Sequence, residues 1–221
     1  RSTLFPYTTL FRSPYRLSSL RHMRKLGHNV ILVSGRSSIE GYLLSVYGGL
    51  NTIAVGENGG CITHGANEHV LLGDKVKCVE ALQLIRSKLS NVKEKPVFPR
   101  MTEVVLERTF DVNEAKKVTR EKNLDVILSD SQYAIHINSA GINKATGFKQ
   151  IMERLGIQSE DVISIGDSET DVPLFEMAKL SVAVGNASDQ VKSMATMVVS
   201  AHAGDGVLEA LDKIAPVLSE L

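Results

Sequence analysis

The segment VISIGDSETD (residues 162–171) closes an apolar run at Gly166 and delivers Asp167, Glu169 and Asp171 into the loop ahead of a helix. Two carboxylates at a strand tip can hold Mg²⁺, a cation that takes a few hard oxygen ligands and keeps waters for bridging to phosphate. Asp167 and Asp171 are the expected ligands. Asp171 also reads as a helix N-cap ahead of Pro173, because an acid at a helix start complements the dipole. The segment VILVSGR (residues 30–36) makes a second tip. There the Ser34 hydroxyl and the Gly35 N–H face the edge to which the next helix points its positive end, a geometry for phosphate or a plain strand-to-helix turn. Lys144 lies in the first turn of a helix opened by Asn143. A cation there opposes the macrodipole, so it marks either a nearby anion or a solvated surface.

The elements that must position these residues repeat a simple unit. A helix over Arg16–Leu26 turns at Gly27 into the apolar run Val30–Val33; Ser37 with Glu40 opens a helix to Tyr47, and Thr52–Val55 is the next run. The rhythm resumes with a helix from Asn143 to Leu155, then Val162–Ile165, a helix over Pro173–Ala178, Ser181–Val184, a helix from Ser188, Met197–Val199 and a last helix from Gly206. Helices alternating with continuous β-branched runs predict an α/β fold, a doubly wound parallel sheet covered on both faces. Residues 66–140 differ, reading as helix (Lys75–Leu89), strand (Glu103–Glu107), helix (Val112–Lys122) and two strands (Asp125–Ser129, Tyr133–Asn138). The expected division is a core of residues 14–63 and 142–221 interrupted by an α+β cap over 64–141, with Gly65 and Gly141 at the crossings.

Composition narrows the classes. The 221 residues carry 25 Lys+Arg against 25 Asp+Glu, which gives no argument for nucleic acid or a membrane surface. No apolar run reaches the ~18 residues of a membrane span. Cys61 and Cys78 lack metal or redox spacing and read as thiols of a reducing, cytoplasmic compartment. Residues 1–13, RSTLFPYTTLFRS, hold the tripeptide TLF twice and look like translated adapter sequence rather than a folded segment. A transit peptide is the rival, since residues 1–39 carry seven Lys/Arg and no acid.

The order Ser, Lys, GDxxxD at three tips resembles the haloacid dehalogenase superfamily of phosphatases, and within it the archaeal-type phosphoglycolate, sucrose-phosphate and Cof-type sugar phosphatases. LVSGR matches its second motif, Lys144 in GINKATG its third and GDSETD its fourth; GENGG (residues 56–60) fits the same subgroup. The resemblance implies a Mg²⁺-dependent phosphatase, a monomer or homodimer acting on a small phosphorylated metabolite, with 2-phosphoglycolate first. It implies a phosphoaspartyl mechanism in which Ser34 and Gly35 bind phosphoryl oxygens, Lys144 bridges nucleophile and phosphate, and Asp167 and Asp171 hold the metal. Asn58 is a turn residue with a conceivable substrate role, and Arg100 and Arg108 could meet a substrate carboxylate but read first as solvated cap arginines.

One motif departs from the pattern. The superfamily's DxDxT should precede the helix at Arg16, yet the first Asp of the chain is Asp74. Glu40, within a helix, and Glu57, within a glycine-rich turn, are poor substitutes for a nucleophile. The missing strand would lie between those ending at Ser34 and Asp167, leaving two inner edges; residues 8–11, TTLF, offer at most a short replacement after Pro6. The chain as given is therefore expected to be inactive. A sugar phosphatase of the same superfamily and a noncatalytic phospholigand binder are the alternatives. A dinucleotide binder is disfavoured because GxGxxG and GxxxxGK[ST] are both absent.

Overall fold

The computed structural model describes residues 13–131 and 133–218. Of the adapter-like segment expected over residues 1–13, only Ser13 is described, and it caps the first helix; the rest, with the short TTLF strand, lies outside the described residues. Helix α1 (Pro14–Lys25) opens where the Ser13 hydroxyl accepts from Arg16 N at 3.5 Å, with Pro14 at the helix start, where its missing N–H is no loss. The chain then forms β1 (Leu32–Val33), α2 (Ser38–Gly48) and β2 (Ala54–Gly56), with β2 parallel to β1. Glu40 Oε2 accepts from Ser37 N at 3.3 Å, so that pair opens α2 as its spacing suggests. The buried face of α2 is Ser38, Gly41, Ser45 and Gly48, a helical stripe of small residues that lets the helix lie close on β2.

A hairpin not foreseen in the sequence follows. Strands β3 (Cys61–Gly65) and β4 (Glu68–Leu71) continue the sheet in the order β1-β2-β3-β4, antiparallel beyond β2. Its outer strand is mostly exposed, so no apolar alternation announces it.

Between this hairpin and the second half of the core lie α3 (Lys75–Lys88), β5 (Val104–Leu106), α4 (Val112–Glu121), β6 (Val126–Asp130) and β7 (Ile135–Ser139). The three strands form an antiparallel sheet with β7 in the middle, buried along its whole length. Cys78, Leu82, Ile85, Leu106, Ile135 and Ile137 give this unit its own core.

The chain returns through α5 (Lys144–Leu155), β8 (Ile163–Gly166), α6 (Val172–Met177), β9 (Leu180–Ala183), α7 (Asp189–Ser193), β10 (Met197–Val198) and α8 (Ala203–Leu218). Strands β8, β9 and β10 are parallel. The core is thus α/β with parallel strands, as the rhythm of the sequence implies. Its strands fall into two groups, β4-β3-β2-β1 and β8-β9-β10, and among the described residues no ladder joins β1 to β8. One helical layer spans both groups: Leu20 of α1 with Leu211 and Ile214 of α8 pack on Leu32, Ile163 and Val182. Phe148 and Ile151 of α5 cover Val33, Ile53, Val55 and Ile62 on the first group. No described helix is long and apolar enough to cross a membrane.

Candidate active site

Strand β1 ends beside Ser34, β8 ends at Gly166, and α5 begins at Lys144. Ser34, Gly35, Lys144, Asp167 and Asp171 line a single cavity of about 1590 Å³. Its polar end lies at the carboxyl ends of the parallel strands, where open α/β sheets bind ligands.

Helix α5 starts because Asn143 Oδ1 accepts from Thr146 N at 3.0 Å while Thr146 Oγ1 accepts from Asn143 N at 3.0 Å. The next residue, Lys144, is buried, and its Nζ donates to Asp171 Oδ1 at 2.6 Å. Of the two readings of this lysine, the solvated one is excluded. Asp171 stands at the N-cap position of α6, as its place ahead of Pro173 suggests, but its side chain makes no capping hydrogen bond to that helix. Its Oδ2 turns back and accepts from Asp167 N (3.1 Å), Ser168 N (3.0 Å) and Ser168 Oγ (2.8 Å). Burial opposes the charge of Asp171, but the Lys144 charge and hydrogen bond, with those of Ser168, hold its carboxyl below the usual range.

Asp167 is the opposite case. Burial and the neighbouring Asp171 carboxylate push it up to about 6, offset only in part by Asn186 Nδ2, which donates to Asp167 Oδ2 at 2.8 Å, and by Lys144. A carboxylate that resists ionising beside a second carboxylate is a place short of positive charge. The donors are hard oxygens, and among the described residues no three His, Cys, Asp or Glu side chains converge as a metal cage. Such a set fits Mg²⁺, which is held by one or two carboxylates and fills its shell with water and phosphate oxygens.

Ser34 is fixed on all sides by backbone: its N–H donates to Val55 O (3.0 Å), its carbonyl accepts from Asn58 N (3.2 Å), and its Oγ accepts from Arg36 N (3.0 Å). The hydroxyl hydrogen is then left to serve an acceptor in the cavity. Asn58 belongs to the GENGG turn, where Glu57 and Asn58 both take left-handed backbone (φ 55° and 54°). Two such residues in succession are strained. Buried bonds hold them: the Glu57 carboxylate accepts from Met101 N, Thr102 N and Thr102 Oγ1, the last two at 2.7 and 2.8 Å. Gly59 follows at φ 100°, where a Cβ would collide with the Asn143 carbonyl. The turn therefore sits directly on the start of α5 and fixes the place of Lys144.

A second polar knot joins this turn to the inserted unit. Glu103 is fully buried; its Oε2 accepts from Asn138 Nδ2 (2.9 Å) and Asn58 Nδ2 (3.3 Å) and pairs with His136 Nδ1 (3.1 Å). Arg100 Nη1 lies 3.0 Å from Glu103 Oε1 and donates to Gly35 O at 2.9 Å. Burial disfavours the Glu103 charge, yet His136, Arg100 and Asn138 together lower its pKa. The two cap arginines part company here. Arg108 pairs with Asp130 on the surface, as a solvated arginine should, whereas Arg100 is buried in the cavity wall. Glu103, His136 and Asn186 were missed in the sequence. Asn186 follows the β9 tip and was findable by the strand-tip logic used for Asp167; Glu103 and His136 carry no local signal, because their partners are distant in the chain.

The model of the haloacid dehalogenase-like hydrolase family matches residues 88–211. A phosphoglycolate phosphatase of Nitrosopumilus maritimus is 64% identical over 205 residues, 93% of this chain and 89% of that protein. One of Archaeoglobus fulgidus is 37% identical over 86% of this chain and 84% of that protein. Among solved structures, a Thermoplasma acidophilum protein superposes with TM-score 0.81 at 21% identity, covering 92% of this chain and 90% of that one. A haloacid dehalogenase-like hydrolase of Bacteroides thetaiotaomicron gives TM-score 0.71 at 20% identity over 91% and 92% of the two chains. On these grounds, together with the arrangement of Ser34, Lys144 and the GDSETD loop, the chain belongs to the phosphatases of the haloacid dehalogenase-like hydrolase family.

Proposed function

We propose that this cavity is the site of a Mg²⁺-dependent phosphatase for a small phosphate monoester, with 2-phosphoglycolate as the first substrate. The observation that carries the reading is the buried Lys144–Asp171 pair, 2.6 Å apart, in a cavity shared with Ser34 and Asp167. Ser34 Oγ and the Gly35 N–H would bind phosphoryl oxygens, and Lys144 would offset their charge. Asp167 would hold Mg²⁺, which supplies charge neutralisation on the transferring group; Asp171, expected from the sequence as a second ligand, has both oxygens already accepting from Lys144 and from the Asp167–Ser168 loop and would support the site from behind. Preorganised charge of this kind supplies most of the catalysis in phosphoryl transfer. The inserted unit, expected over residues 64–141 but beginning only after β4, which pairs with the core sheet, would close over the substrate as a cap and select it. The names of the relatives at 64% and 37% identity support phosphoglycolate over a sugar phosphate. Cys61 and Cys78 are free and buried, which suits a reducing, cytoplasmic setting; burial also raises both thiols to about 11.

In the phosphoaspartyl mechanism an Asp carboxylate attacks phosphorus, the leaving oxygen takes a proton, and water then cleaves the acyl phosphate. The nucleophile has no counterpart here: the first Asp, Asp74, caps α3 by accepting from Val76 N at 2.9 Å. That observation favours a second reading, a chain that binds phospholigands without turnover. Calorimetry with phosphorylated acids, sugars and nucleotides in the presence of Mg²⁺ tests the assignment. Binding of 2-phosphoglycolate that is lost in Ser34→Ala and Lys144→Met supports it, and a preference for nucleotides overturns it.

A further inference from the structure

Arginine recognises a carboxylate through the edge of its guanidinium that carries Nε–H and one Nη–H, a fork matching two oxygens. In Arg108 that edge is taken, since Nε and Nη2 both donate to Asp130 Oδ2, at 3.0 and 2.9 Å. Arg100 spends only Nη1, on Gly35 O and Glu103 Oε1. Its Nε–H is buried with no hydrogen-bond partner, and among the described residues Nη2 makes no hydrogen bond either. The side chain is 7% exposed and lines the same cavity as Ser34 and Lys144. A buried donor without an acceptor is rare in a native protein and asks for a group to complete it. The position is also set: Glu103 anchors the guanidinium from behind, and the bond to Gly35 O places it one residue from Ser34.

We infer that Arg100 is a specificity-determining residue whose unpartnered Nε–H, with Nη2 beside it, binds the carboxylate of a short phosphorylated acid while the phosphoryl group lies at Ser34 and Lys144. The inference rests on the phosphatase reading of the cavity and deepens it. A carboxylate at Arg100, so near the phosphoryl pole, fits a substrate with very few atoms between its two anions. Sugar and nucleotide monoesters offer no second anion at that distance. Asn58 and His136, which also line the cavity and share Glu103 with Arg100, keep the anchor charged and oriented.

The test uses the full chain and binding rather than turnover. With Mg²⁺ present, calorimetry compares 2-phosphoglycolate, 2-hydroxyethyl phosphate, which keeps the length but lacks the carboxylate, and inorganic phosphate. The parent is expected to prefer 2-phosphoglycolate over the hydroxyethyl ester about tenfold or more, as a charged, hydrogen-bonding site does. Arg100→Lys should lose most of this preference and Arg100→Met all of it, with the affinity for inorganic phosphate unchanged. Because Arg100→Met leaves Glu103 short of a partner, the double variant Arg100→Met with Glu103→Gln removes the buried pair together, and circular dichroism verifies its fold. A preference that survives in folded Arg100 variants overturns the inference. So does a loss of inorganic phosphate affinity in Arg100→Lys, which would make Arg100 part of the phosphoryl pole. If instead the parent binds none of the three ligands, the phosphatase reading itself fails, and the inference falls with it.

Discussion

Asp167 and Asp171 share one loop and differ in how their charge is met. Asp171 receives Lys144 and three loop donors, whereas Asp167 receives Asn186 and faces Asp171, so its carboxyl lies near 6 instead of 3.8. Between those values the folded metal-free protein holds a proton that the unfolded chain has lost, so stability falls as pH rises through this window. At about 1.4 kcal/mol per unit the loss is at most about 3 kcal/mol, complete above pH ~6. Asp167→Asn removes it. Without metal at pH 8 that variant is expected to melt above the parent, and at pH 4 the two should converge. Added Mg²⁺ should raise the parent's midpoint and leave the variant's unchanged. A variant that binds Mg²⁺ as the parent does by calorimetry would take Asp167 out of the ligand set. Glu103 has the reverse sign, because its partners lower its pKa: its contribution is present above the ordinary value of 4.5 and is lost as pH falls below it. Glu103→Gln leaves the buried Arg100 guanidinium uncompensated, a loss of about 3 kcal/mol or more near neutrality. Urea unfolding from pH 7 downward should find the gap between parent and variant narrowing below pH ~4.5; a constant gap would mean that the charge of Glu103 is not what the knot uses.

The elements owe their places to contacts that a local pattern carries only in part. The Asn143 start of α5, the Ser37–Glu40 start of α2 and the strand tips at Ser34 and Asp167 were legible, since each is a short-range signal of capping or of apolar runs meeting polar loops. The β3–β4 hairpin was not, as its strands are short and its outer face is solvated. Nor was the Glu103 knot, whose Asn58 and Asn138 partners lie 45 and 35 residues away. GENGG was legible as a turn but not as the clamp on α5, because that contact is tertiary. Two glycines separate conformation from contact. Gly156 ends α5 at φ 66° with open space around it, so Gly156→Ala adds only backbone strain, about 1 kcal/mol. Gly59 combines φ 100° with the Asn143 carbonyl in the path of a Cβ. Gly59→Ala is expected to cost about 2 kcal/mol or more in urea unfolding and to weaken inorganic phosphate binding through displacement of Lys144. Equal effects from the two substitutions would show that the turn does not position the lysine.

At the scale of the molecule, the two groups of core strands turn edges toward one cavity, and among the described residues no strand pairs with either edge. Ser34 N donates to Val55 O, so alternation turns the N–H and C=O of Ile31 and Val33 away from β2; Val184 N donates to Gly166 O, which likewise turns those of Ile163 and Ile165 away from β9. Ile31, Val33, Ile163 and Ile165 line the cavity, as do Leu211 and Ile214 of α8. The spacing of donors and acceptors suits an added parallel strand, whose tip would emerge among Ser34, Lys144 and Asp167. A carboxylate on that tip would stand where a phosphoryl group meets the lysine. Loss of a covalent nucleophile from a cooperating set lowers the rate on the order of a millionfold, roughly 8 kcal/mol, so binding groups alone should give negligible turnover. The experiment replaces residues 1–13 with an apolar strand and loop ending in DxDxT and assays this chimera beside the chain as given. The chimera is expected to hydrolyse 2-phosphoglycolate only with Mg²⁺ and to melt at a higher temperature, since both edges gain partners; the chain as given should bind but not turn over. Changing the first Asp of the added motif to Asn should abolish activity and keep the gain in melting temperature, which separates chemistry from folding. Equal, substantial hydrolysis by both chains would mean that a carboxylate already in the sequence attacks phosphorus, with Glu169, which lines the same cavity, the first to replace.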